Sequence, residues 1–192
     1  MKLRLALFAP LALVLYQPLL TAQDFSLTQT KPNPIAPLIQ PANEALAASN
    51  FTLAYKLLTS LNTKSPNNPQ VLYDLGLTLE GLAPATPDKT LTPESCYRQA
   101  IAADPTFAEP HVALGLLLAR TNHPAKARTQ LLTATAIPKI PPLLKARAYR
   151  ALARLDLSGF PSTSTPPNPA TACYDLLALL KLSPEQPEDI LL

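Results

Sequence analysis

The spacing between like residues constrains this chain more than any single motif. Pro66 and Pro105 lie 39 residues apart, as do Leu58 and Tyr97, and Gly76 and Gly115. One step further, Tyr97 to Leu131 and Ala100 to Ala134 are each 34 residues. A register that returns after 34 residues, or after 34 plus an insertion of five, marks a chain built by stacking one helical hairpin on another. Composition points the same way. Of the 192 residues, 47% are apolar but only 6% aromatic, and much of the apolar share is Ala and Leu, both good helix formers. Gly is scarce at 4 and Pro abundant at 23, so the prolines must stand between short helices or in extended segments. No alternating β-branched run argues for a sheet. The expected class is all-α.

The N-terminus is a separate matter. Met1-Lys2-Leu3-Arg4 is a short basic region, residues 5–20 are almost wholly apolar, and polarity begins at Gln23-Asp24. This is the layout of a secretory signal over residues 1–22, with cleavage after Ala22. The other reading is a retained anchor, but a span takes about 20 apolar residues. Here Pro10 and Pro18 interrupt a shorter run. Cleavage would leave no membrane span and would remove Lys2 and Arg4, taking the formal charge from +3 to +1. A nearly neutral mature chain gives no electrostatic case for nucleic acid. The localisation expected is export, to the periplasm or cell envelope.

Residues 23–40, with Pro32, Pro34 and Pro37, read as an extended leader. The repeat domain is expected over residues 41–184, in units of about 35–68, 69–107, 108–141 and 142–184. In the third unit His111, Leu114-Gly115, Leu118, Ala127, Leu131 and Ala134 follow the frame, and Pro138 comes one place early. The second unit matches with Leu72, Leu75-Gly76, Leu79, Tyr97, Ala100 and Pro105, its five extra residues lying within 83–93. The first supplies mainly Ala54, Leu58, Leu61 and Pro66 behind a Ser49-Asn50-Phe51 turn, its opening helix cut short by Pro41. The fourth has a helix from about 142 to 157, a Pro/Ser/Thr loop over 159–169, and a second helix with Ala172, Leu176, Leu179 and Pro184. Residues 185–192 form a tail.

These positions carry a resemblance. The chain resembles tetratricopeptide repeat proteins, whose units carry a large residue at position 4, Leu-Gly at 7 and 8, and Ala at 20 and 27, a frame that residues 108–141 fit best. The resemblance implies an α-solenoid of three to four antiparallel hairpins. Gly76, Gly115, Ala100 and Ala134 would mark close helix approaches, while Gly81 and Gly159 end helices. No glycine is left over for a phosphate-cradling loop.

Reactive chemistry finds little material. His111 falls at a packing position and His123 in a tight turn, neither with a partner at ligand spacing, so no metal site is expected. The same two histidines leave a nucleophile without a base, and Asp74, Glu80 and Asp88 are not paired. No cofactor and no catalytic residue are expected. Cys96 and Cys173 fall on the second helices of units two and four, about 20 Å apart at 8–10 Å per packed helix. A bridge requires Cα atoms within about 7 Å. Free thiols fit that frame; a disulfide needs the last helix to fold back.

What the resemblance does offer is a groove. In tetratricopeptide proteins the first helix of each hairpin lines a concave face, chiefly at positions 2, 5, 9, 12 and 13. Here those are Tyr73, Leu77 and Glu80, then Val112, Leu116 and Arg120, then Arg150 and Arg154. The strip is apolar with a basic end, suited to a segment bearing a carboxylate. Arg147, Arg150 and Arg154 also read simply as the solvated face of an amphipathic helix. Ile39 and Asp74 stand where the family's carboxylate-gripping set has Lys and Asn, so the resemblance does not extend to that set. The function implied is a non-catalytic scaffold or adaptor that binds envelope proteins. The alternative is an accessory subunit of an envelope enzyme or of a secretion or polysaccharide machine.

Overall fold

The computed structural model describes residues 35–83, 91–158 and 168–182. The expectations for the signal, its cleavage and most of the leader lie outside that range. So do those for the insertion, Gly159, most of the loop after it, and the tail. Among the described residues there are eight helices and no strand. They are α1 Ala36–Ala47, α2 Phe51–Lys64, α3 Pro69–Leu82, α4 Pro93–Ala103, α5 Ala108–Arg120, α6 Pro124–Ala136, α7 Pro142–Ser158 and α8 Pro169–Leu182. Each packs mainly on the helix before and after it, and α5 also touches α7.

Local chemistry sets the helix ends. Asn68 accepts from the backbone N–H groups of Gln70 and Val71, both at 3.1 Å, and Asn50 accepts from Leu53 N–H at 3.2 Å. Thr92 and Ser95 close a reciprocal capping box on α4. Pro occupies the first turn of α3, α4 and α6, where its missing N–H costs nothing. Ser49 and Asn122 both adopt positive φ, 55° and 61°, just past the ends of α1 and α5. In each turn the next N–H bonds back at 2.8 Å, Asn50 to Ala45 and His123 to Leu118. The two hairpins thus turn by the same device.

Three expectations need correcting. The leader does not stay extended to residue 40, because α1 begins at Ala36. Pro41 does not shorten that helix either; it sits inside it. A proline there removes one internal hydrogen bond. Burial of Ile39, Ala42 and Ala45 against the following helices offsets the loss. Gly81 does not end α3; it lies one residue inside, where a Cβ would come within 2.4 Å of the Phe51 ring. It is a close-approach position between α2 and α3.

The interior has two clusters. One gathers Ile39, Ala54, Leu58, Val71, Leu75 and Leu79 across α1 to α3, with Cys96. The other gathers Tyr97, Val112, Leu114, Leu118, Leu131 and Leu152 across α4 to α7. Each buried leucine contributes about 1.5–3 kcal/mol, and no single hairpin buries enough of them to stand alone. Tyr97 is fully buried and lies flush on α3, because Gly76 has no Cβ: one added there would be 2.3 Å from the ring. At Gly115 an added Cβ would meet Leu131 Cγ at 2.7 Å. Gly76→Ala should therefore lower the unfolding free energy by about 1–3 kcal/mol through overpacking. Urea denaturation with an unchanged m-value checks it; an unshifted midpoint counts against the close approach.

Candidate partner-binding groove

The first helices of hairpins two, three and four, α3, α5 and α7, lie side by side and leave a groove on one face. Its narrow part, about 70 Å³, is lined by Tyr73, Leu77 and Glu80 of α3, Val112, Leu116 and Arg120 of α5, and Leu144 and Arg147 of α7. It continues past Leu116 and Arg120 into an open cleft of about 540 Å³, bounded by Arg147, Arg150, Arg154 and Leu155. All eight residues picked from the sequence frame line one or other part. Glu109, Leu144, Arg147, Ala151 and Leu155 line it too and were not picked.

The omission has a physical cause. From α3 to α5 the lining advances by 39, Tyr73 to Val112 and Leu77 to Leu116. From α5 to α7 it advances by 35, Val112 to Arg147, Leu116 to Ala151 and Arg120 to Leu155. The link between α6 and α7, where Lys139 takes φ 62°, sets α7 one residue beyond a strict 34-residue frame. One residue rotates a helix face by about 100°. Arg147 takes the place the frame gave to Ala146, and Arg150 moves to the groove's flank. Its Nε is buried and has no hydrogen-bond partner among the described residues.

The groove's polar groups are organised from below. The Tyr97 hydroxyl donates to Glu80 Oε1 at 2.5 Å, and Arg120 Nη2 pairs with Glu80 Oε2. Glu80 thus ties a fully buried ring on α4 to an exposed guanidinium on α5. Burial, and then Glu80, raise the Tyr97 phenol well above its usual range. Tyr73 packs against Tyr97 at a centroid distance of 6.0 Å and edge-on to Phe107 at 5.5 Å. Burial pushes its hydroxyl to about 12, Asp74 and Glu109 add to this, and Arg147 opposes it. Four arginines and two carboxylates, Glu80 and Glu109, line the whole groove, so its field is positive, and most so along α7.

Ile39 and Asp74 are both buried, so neither offers a side chain to a ligand. His111 is buried as well: Nε2 meets the Pro105 carbonyl at 3.2 Å and Nδ1 the Gln130 side-chain amide at 3.0 Å. Both ring nitrogens are thereby engaged, one tying α5 to α6 and the other to the link between α4 and α5. His123 stands at the N-terminal boundary of α6, where its Nδ1 lies 3.3 Å from Thr121 Oγ1 and its side chain makes no cap bond. Cys96 and Cys173 are free thiols, the first buried and the second exposed. Burial raises the Cys96 thiol to about 11, which leaves it unreactive near neutrality. No helix among the described residues is long and apolar enough to cross a membrane.

A crystal structure of a thermophilic TPR protein from Thermus thermophilus superposes with a TM-score of 0.60, covering 82% of this chain and 79% of that one at 21% identity. The chain has the tetratricopeptide-repeat fold. No family model matches the sequence, and no curated protein matches it.

Asp74 gives this solenoid a titrating core. Its carboxyl is raised from 3.8 to about 6 by burial, against the opposing effect of two hydrogen bonds from Gln70 Nε2 at 3.1 and 3.0 Å. A folded pKa above the unfolded one favours the neutral acid in the fold. The associated stability is complete below about pH 4 and is lost as pH rises through about 6. Relative to wild type, Asp74→Asn should be more stable at pH 7.5 than at pH 4 by about 1–3 kcal/mol. Urea titrations of both proteins at the two pH values measure this, and a difference independent of pH refutes it.

Proposed function

We propose that this protein is an exported, non-catalytic scaffold that holds a segment of a partner protein in the groove of α3, α5 and α7. The observation that carries the reading is the continuity of that groove. Two successive first helices, α3 and α5, supply an apolar floor of Tyr73, Leu77, Val112 and Leu116, and a third, α7, continues it into an arginine-lined cleft. An extended or helical segment needs such an arrangement: apolar pockets for affinity and a charged end for direction. The tetratricopeptide-repeat fold supports a protein partner in preference to a small substrate. Export rests on residues 1–22, whose basic start, apolar stretch and small residues before Gln23 have the order of a secretory signal.

The test uses the full chain expressed in its own host. Arg147→Glu with Arg154→Glu should reduce recovery of co-purifying envelope proteins by about tenfold or more while leaving the helical circular dichroism unchanged. Leu116→Arg, on the apolar floor, should do the same. Unchanged recovery with both variants refutes the groove. N-terminal sequencing of the native protein should begin at Gln23; an intact Met1 refutes processing.

A further inference from the structure

Among the described residues α8 packs chiefly on α7, whereas each helix from α2 to α7 packs on one before it and one after it. The attachment of α8 is partly ionic. Arg128 of α6 pairs with Asp156 Oδ1 of α7, and both act on Asp175 of α8. Asp156 is buried, and its backbone carbonyl accepts at 2.8 Å from the N–H of Asn168 at the head of α8. Two carboxylates thus meet one guanidinium, and the charges do not balance. The hydrogen bonds do not balance either. Asp156 Oδ2 and Asp175 Oδ2 are both buried, and neither has a donor among the described residues.

A proton corrects both deficits at once. Bound to either carboxyl, it removes one negative charge and turns one acceptor into a donor. The charged groups that act on Asp175 are Asp156 from α7 and Arg128 from α6. Of the other titratable groups on α7, Arg147, Arg150 and Arg154 line the groove, and Tyr149 packs against the apolar cluster of α4 to α7. Lys145 stands three turns before Asp156. Lys126 of α6 borders a separate hollow with Arg98. Cys173, Tyr174 and Lys181 of α8 itself are exposed. Burial, and then Asp156, raise the Asp175 carboxyl above its usual range, and Arg128 opposes the rise. A carboxyl raised in the docked state holds most firmly when protonated. Its contribution is whole below about pH 4, the ordinary carboxylate value, and is lost as pH rises through the raised one.

We infer that this cluster is an acid-tightened latch on the last helix: a proton bound by the Asp156 and Asp175 pair clamps α8 to α7, and its departure toward neutral pH lets α8 open as a unit. The pair titrates together, so the proton belongs to both carboxyls rather than to one. The latch acts on the neighbour of α7, the helix that brings Arg147 to the groove.

Amide hydrogen exchange of the full chain at pH 4.5 and pH 7.5, corrected for the intrinsic rate at each, measures the opening of α8. Between those values the protection of residues 172–182 should fall by about three- to tenfold more than that of α5 and α6. Asp175→Asn keeps the shape and supplies a permanent donor. It should erase the excess and hold α8 at its acid-pH protection throughout. Asp175→Ala should also flatten the pH dependence, at lower protection. Asp74→Asn, which removes the titrating carboxyl of α3, should leave the excess in α8 unchanged. An excess that survives both Asp175 variants, or vanishes in Asp74→Asn, overturns the inference. So does an α8 that opens only together with α5 and α6, or one that is unprotected at both pH values.

Discussion

The contact on which the rest depends is the Tyr97 ring lying on the bare backbone of Gly76. Only a residue without Cβ lets α4 approach α3 this closely, since an added carbon would stand 2.3 Å from the ring. That approach delivers the Tyr97 hydroxyl to Glu80, and Glu80 in turn holds Arg120 on the neighbouring hairpin. One apolar contact in the interior thus fixes the position of a charged group on the surface. Close packing transmits geometry in this way because the ring has no free volume in which to adjust.

The interfaces between hairpins are not purely apolar, and their polar contacts decide register. His111 of hairpin three bridges Gln130 of its own second helix and the Pro105 carbonyl in the link from hairpin two. Arg128 of α6 pairs with the buried Asp156 of α7, whose backbone carbonyl also receives Asn168 at the head of α8. Asp175 of α8 lies near enough for Asp156 to raise its pKa, after burial, while Arg128 opposes the rise. A slipped stack would leave these groups buried without partners, at a cost of about 1–3 kcal/mol each. Leucine contacts alone tolerate a slip more easily, because one apolar surface substitutes for another.

The binding face follows from the same stacking. Side chains on the first helices of hairpins two, three and four meet across a groove whose lining changes along the stack. Apolar residues of α3 and α5 form its floor, and α7, the longest of the eight described helices, adds three arginines along it beside Leu144 and Leu155. That contrast gives the groove a direction, from apolar to basic. An end-to-end polarity of this kind orients a bound strand as well as attracting it.

The sequence by itself determined the class of fold and the close approaches at Gly76 and Gly115, because each is set by short-range spacing that repeats, and it narrowed the hairpins to three or four. The Ser49-Asn50-Phe51 turn was legible from the same frame. What only the tertiary structure decided was phase. The extra residue before α7 turned that helix by about 100° and brought Arg147 to the groove, a change no repeat frame reveals, since a single added residue hardly alters the pattern of apolar spacing. Pro41 inside α1 and Gly81 against Phe51 have the same explanation. Local propensity reads each residue in its own segment, whereas its part in the fold was settled by the helix packed across from it.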